Sequence, residues 1–322
     1  MYYRAEQILS AYPKEFTAIM KGRGSLLCTD STGVYLLKEY RGSKQRLELL
    51  EQVWDYLNEH DFLTESLVRT AEGEVCYNDT DGTCYFLRKT VRARECDTRS
   101  QEEILHVIRH MAKMHKLLAE CPVKSEIEPE RSSAETMERH TRELKKVKNY
   151  VRAKKKKNAF EYEFMRNFDH YMAQASQALT LQRAEAVPES GRQLCHGDFN
   201  QHHLLFDKEK LAVVGFDKLH RDICVTDLTN FMRKILEKCN WDGGFGMDMV
   251  MAYHGVRELE LWEWKQLYQH LLYPEKYWKI VNHYFNARKT WVSFRDIEKL
   301  QRMCEQETKR EEFLSMLFYL AK

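Results

Sequence analysis

What this chain lacks sets its class. It has no uninterrupted apolar run of membrane-spanning length, and its opening residues, Met1-Tyr2-Tyr3-Arg4-Ala5-Glu6, hold no apolar core of a secretory leader. A soluble protein made in a cytoplasm is therefore expected. Nine cysteines are scattered through the chain without a CxxC pair or a Cys/His ligand spacing, which argues against a disulfide framework or a structural zinc site and for reduced thiols. Net charge is small, with 51 basic residues against 49 acidic ones, so any binding of a polyanion has to come from a local patch. Internal repeats, low-complexity segments and flexible linkers are also absent. The 322 residues are enough for one large or two ordinary domains with buried cores.

Strand and turn signals dominate the first ninety residues. A short helix over 6–12 ends at Pro13. Strands are expected at Phe16 to Met20, Ser25 to Thr29 and Val34 to Tyr40, with turns at Lys21-Gly22-Arg23-Gly24 and Asp30 to Gly33 between them. Ser43 is placed to cap a helix whose Leu47, Leu50, Trp54 and Leu57 share one face. Further strands follow at 66–69, 74–77 and 82–89. From about Ser100 the pattern turns helical, with Ile104, Leu105, Ile108, Met111, Met114 and Leu118 at helical spacing. Two long helices are expected between Pro122 and Pro188, joined by the basic run Arg142 to Lys157, and four more helices from Asp248 to the end. That basic run suits either a solvated helix end or an anion-binding patch. The expected fold class is α+β: a small antiparallel-sheet N-lobe (1–93) with one helix and a large helical C-lobe (94–322).

The stretch with most chemistry is Leu194-Cys195-His196-Gly197-Asp198-Phe199-Asn200-Gln201-His202-His203-Leu204-Leu205, followed by Val213-Val214-Gly215-Phe216-Asp217. It reads as a polar loop and a hairpin that gather carboxylates and imidazoles at one place, an arrangement suited to phosphoryl transfer. There an aspartate orients or deprotonates the acceptor, and a carboxylate on the next strand carries the metal that bridges the phosphates. Read as strand, the Gly215 to Asp217 segment puts both residues on one face about 6–7 Å apart.

Sheet lobe, helical lobe and HGD loop together resemble the aminoglycoside phosphotransferase and choline kinase branch of the kinase-like fold. That family reads HGD, four residues, Asn, and then an IDF or IDW strand. The resemblance makes Asp198 the catalytic aspartate, sets His203 at the Asn position and sets Gly215 at the metal-binding Asp. Asp217 and His203 are the remaining metal candidates, although Asp217 serves equally as a turn residue or ion-pair partner, and imidazole suits softer ions than magnesium. Lys38 stands where such proteins keep the lysine that touches the phosphates, with Glu48 and Glu51 as candidate partners; an exposed strand lysine is the alternative. Gly22 and Gly24 form a turn able to approach phosphate, or a plain hairpin. His196 is expected to brace the loop, and Asp227 to cap or charge the helix that follows it.

The stretch Leu271 to Asn286 with Arg288-Lys289-Thr290-Trp291 resembles the CotS-type spore-coat proteins of endospore-forming bacteria. So do Tyr40-Arg41-Gly42-Ser43, Arg94-Glu95-Cys96-Asp97 and Phe231 to Leu236 with Trp241-Asp242. The resemblance implies a protein made in the mother-cell cytoplasm and laid into the spore coat, among other coat proteins or an anionic coat component. It implies ATP and Mg²⁺ as cofactors if the site is active, and none otherwise. With Gly215 and His203 in place the site leans to a pseudokinase with a retained binding cleft for a small molecule. The rival expectation is an active phosphotransferase for a small hydroxylated substrate.

Overall fold

A computed structural model describes residues 4–123, 132–286 and 294–322. Met1 to Tyr3, and the Arg288 to Trp291 part of the coat-protein stretch, lie outside the described residues. By contact the chain divides into two compact units, 1–127 with 194–221, and 128–193 with 222–322.

The first unit runs through α1 (Ala5–Leu9), β1 (Ala18–Lys21), β2 (Leu26–Asp30), β3 (Gly33–Tyr40), α2 (Lys44–Glu59), β4 (Ser66–Val68), β5 (Tyr77–Asn78), β6 (Cys84–Thr90), β7 (Arg94–Glu95) and α3 (Gln101–Glu120). β8 (Arg192–Cys195) leads into its later segment, which holds β9 (Leu204–Asp207) and β10 (Lys210–Val213), and β11 (His220–Ile223) leads out. The main sheet is antiparallel in the order β1-β2-β3-β6-β4, with β5 also on β6. Alternation along β3 sends Tyr35 and Leu37 into a core with Ile8, Leu9 and Tyr12. The other face of β3 carries Lys38. Ser43 caps α2 by accepting the Arg46 N–H, and Leu47, Leu50, Val53, Trp54 and Leu57 are its buried stripe. A small second sheet, β10-β9-β7, ties the segment after the HGD loop to the strand before α3.

The second unit is helical: α4 (Ser133–Ala153), α5 (Ala159–Ala184), α6 (Val225–Leu236), α7 (Gly243–His254), α8 (Leu261–Leu272), α9 (Glu275–Asn286), α10 (Phe294–Glu305) and α11 (Glu307–Leu320). Two sequence expectations change here. The basic run is mostly the last turns of α4, with only 154–158 as the connection, because Leu144, Val147 and Val151 keep the helical stripe going through the lysines. Within it Lys148 pairs with Asp169 and Lys154 with Glu161. The C-terminal region holds five described helices, α7 to α11, the first starting at Gly243 behind an Asp242 cap. The aromatic stretch of α8 and α9 is core: Tyr277 lies 4.4 Å from Tyr171 ring to ring and donates to the Phe164 carbonyl, and Tyr273 donates to the Met137 carbonyl. None of the described helices is long and apolar enough to cross a membrane, and all nine cysteines are free thiols.

One half-buried group sets an acid limit on the first unit. His110 of α3 stacks on Phe62 at 4.3 Å, and burial, helped by His106 and Lys113, lowers its pKa from 6.5 to about 4. The unfolded chain therefore takes up this proton first as pH falls from 6.5 towards 4, so stability drops through that window, by up to about 3 kcal/mol for a shift of this size. Denaturant unfolding measured against pH should show this slope, and His110→Leu should flatten it.

Candidate functional site

The site lies within the first unit and is built on a turn that only glycine can make. β10 ends at Val213, and Gly215 takes a left-handed backbone, φ +83°, at the start of a short 3-10 turn, Phe216 to Lys218. The expectation of one strand carrying Gly215 and Asp217 on the same face is thereby corrected. The turn replaces the strand because the backbone is latched: Val213 N–H donates to the Leu63 carbonyl, Thr64 Oγ1 donates to the Val213 carbonyl, and Gly215 N–H donates to Glu65 Oε2 at 2.8 Å. The His203 ring fills the space beside Gly215. A Cβ built there would come 2.5 Å from His203 Cδ2 and 2.7 Å from Nε2, well inside contact distance.

The turn delivers Asp217 to two cations. Its Oδ2 accepts from Lys38 Nζ at 3.0 Å and its Oδ1 from Arg88 Nη1 at 3.2 Å. Arg88 reaches on to Glu65, whose Oε1 lies 3.0 Å from Nε, close enough for ionic attraction although the N–H does not point along the contact. Glu65, Arg88, Asp217 and Lys38 thus form a line of alternating charge. Exposure rises along it: Glu65 is fully buried, Arg88 is 7% exposed, Asp217 27% and Lys38 34%. Burial pushes the Asp217 carboxyl up, but Arg88 and Lys38 outweigh it and hold the group below the usual carboxylate range. For Glu65 burial wins over Arg88, and its pKa is raised. Arg46 fixes the turn from outside by donating to the carbonyls of Asp217 and Leu219.

The HGD loop is held just as tightly. His196 is fully buried, its Nε2–H donating to the Val214 carbonyl and its Nδ1 accepting from the Asp198 N–H. Gly197 has φ +78°, and a Cβ there would run into the Lys218 carbonyl. Asp198 Oδ2 accepts from Lys218 Nζ at 3.1 Å and Oδ1 from Asn200 Nδ2 at 3.2 Å. His203 Nδ1–H donates to the Asp198 carbonyl, and burial lowers this imidazole's pKa so that the ring favours its neutral form. His202 turns away to an exposed pair with Glu95, so the three loop histidines do not converge on one point.

Lys38, Asp217, His203, Asp198 and His196 are brought together with their loops. Neither helix carboxylate is the partner of Lys38: Glu51 is bound by Arg69, Glu48 is exposed, and Asp217 takes the lysine instead. Gly22 and Gly24 form a hairpin connection closed by the Gly22 N–H donating to Ser25 O. Asp227 is buried in the first turn of α6, in the second unit. Sequence reading missed Glu65, Arg88, Arg46 and Lys218. Arg88 had a signal, since the pairing sets Lys38 opposite Phe86 and Leu36 opposite Arg88, which puts both cations on one sheet face.

This donor set does not fit a hard divalent cation. Such ions take several oxygen ligands, mostly carboxylates. Here residue 215 has no side chain, residue 203 offers imidazole, and both oxygens of Asp217 are already in ion pairs.

Comparisons with known proteins agree on the architecture. A family model described as "Spore coat putative kinase YutH" matches residues 5–317. Spore coat protein S of Bacillus subtilis (strain 168) is 22% identical over 98% of this chain and 94% of that protein. Among solved structures, an aminoglycoside phosphotransferase from Alicyclobacillus acidocaldarius superposes with a TM-score of 0.84 at 18% identity, covering 98% of this chain and 96% of that one. Amicoumacin kinase hAmiN, solved in complex with AMP-PNP and Ca²⁺, gives 0.65 at 13% identity, over 98% and 93%. The α+β aminoglycoside phosphotransferase-like fold follows.

The packing of residue 203 against residue 215 makes a stability test. Gly215→Asp should lower unfolding free energy by about 2 kcal/mol or more, from the left-handed backbone and the ring contact together. Adding His203→Asn removes the ring atoms in the way, so thermal or denaturant unfolding of the double variant should recover part of that loss. Additive effects of the two changes would contradict the contact.

Proposed function

The chain belongs to the family described as Spore coat putative kinase YutH, and on that premise we propose a spore-coat-associated protein that keeps a phosphotransferase-type ligand site and has lost phosphoryl transfer. The observation that carries this reading is the exchange at residues 203 and 215. Transfer of a phosphoryl group rests on positioning and on electrostatic stabilisation of charge on the moving oxygens, much of it supplied by metal ions. Imidazole beside a bare glycine offers no substitute for that. Ligand binding makes a smaller demand. Lys38 remains partly exposed on its sheet face and the HGD loop keeps its Asp198, held between Lys218 and Asn200.

Coat association is supported by the family and by the relative named as spore coat protein S. The expected partners are other coat components, met after synthesis in the mother-cell cytoplasm. The nucleotide analogue bound by amicoumacin kinase makes a nucleotide the first ligand to test.

Incubated with ATP, excess Mg²⁺ and a panel of hydroxylated or amino-alcohol acceptors, the protein should yield no phosphorylated product. Loss of several kcal/mol of charge stabilisation slows transfer on the order of 10³-fold or more. Mass spectrometry of the acceptors reads the outcome. Product formation that disappears in Asp198→Asn would establish an active phosphotransferase and overturn the proposal.

A further inference from the structure

Asp217 has two cationic partners, Lys38 and Arg88, and Arg88 is shared with Glu65, so the four groups balance as two cations against two carboxylates. The two partners differ in burial. Arg88 is sunk beneath the carboxylate, shared with a fully buried Glu65, and cannot leave without stranding that glutamate in a poorly solvated place. Lys38 approaches the other oxygen from the exposed end, with a third of its side chain in solvent. If Lys38 turns to a ligand, Arg88 still neutralises Asp217. The lysine is therefore the exchangeable partner of the two.

The surroundings point the same way. Around the turn stand four cations, Lys38, Arg46, Arg88 and Lys218, against three carboxylates, Glu65, Asp198 and Asp217. The raised pKa of buried Glu65 tilts that balance further to the positive side. A ligand with several negative charges finds compensating charge already in the protein, while a divalent cation finds one carboxylate engaged on both oxygens. Deepening the ligand-site reading above and resting on it, we propose that Arg88 is a built-in countercation for Asp217. It releases Lys38 to a phosphate group, so the site takes a nucleoside triphosphate without a divalent metal. Arg88 is in this sense a positioning residue, acting through Asp217 and Lys38.

Calorimetric titration of the whole protein with AMP-PNP, once in EDTA and once in excess Mg²⁺, tests this. Affinities agreeing within about threefold are expected. Binding at least about tenfold tighter with Mg²⁺ would overturn the built-in countercation and leave the ligand-site reading standing. Silence in both buffers would overturn the ligand-site reading, and the inference with it. Arg88→Gln supplies a readout that packing alone would not move. With Arg88 gone, Lys38 is held as the remaining cation on Asp217, so AMP-PNP binding in EDTA should weaken at least about tenfold and become Mg²⁺-dependent. Arg88→Lys should restore metal independence. An Arg88→Gln protein, folded by circular dichroism, that still takes AMP-PNP in EDTA with wild-type affinity would remove Arg88 from the account. Should that variant not fold, the wild-type comparison of the two buffers decides alone.

Discussion

The alternating line of charge from Glu65 through Arg88 and Asp217 to Lys38 is the constraint on which the rest of the site depends. It joins four separate pieces of chain: the segment before β4, strand β6, the turn after β10 and strand β3. Charges this poorly hydrated are costly unless paired, and removing one partner from a buried pair typically costs about 3–5 kcal/mol. Each residue is therefore held by the next. The exposed end is the exception, because Lys38 can exchange its carboxylate for water or a ligand at small cost. The line is thus rigid at one end and free at the other, which is what the proposed ligand site requires.

The backbone beneath that line follows from one steric pairing. The His203 ring occupies space that a side chain at residue 215 would need, and Gly215 in turn makes the left-handed step that lifts Asp217 towards Lys38 and Arg88. A carboxylate two residues along a strand would point elsewhere. Glycine is thus required twice, for its φ and for its lack of Cβ. The half-buried, neutral-favouring imidazole fits this role as filler and as donor to the Asp198 carbonyl.

Much of the fold was legible because it is local. Alternation gave β1 to β3, spacing gave the stripe of α2, and Ser43 announced its cap. The HGD loop was legible because its polar residues stand out between apolar strands. What escaped has a common physical cause. The sign of φ at Gly215, the choice of Asp217 over Glu48 and Glu51 for Lys38, and the Glu65 to Arg88 contact are decided by long-range packing, between residues 23 to 179 positions apart. Glu65 lies in a short connection with no periodicity to mark it as buried. Arg88 was open to inference, since a charged residue following the buried Tyr85, Phe86 and Leu87 needs a partner.

Similarity at 18% identity establishes the architecture, and the fold hosts many chemistries, so function rests on particular atoms. Those atoms are coupled in a way that separates this site from one damaged by a single loss. Residues 203 and 215 interact by volume, 215 and 217 by backbone direction, and 217 with 38 and 88 by charge. Changes among contacting groups do not add, so an acid at 215 alone would meet a ring in its space and a backbone of the wrong hand. It would also face an arginine already serving the neighbouring carboxylate. The set is self-consistent: residues 203, 215, 217, 38 and 88 are each accommodated by the others, as the proposed loss of transfer with retained binding requires.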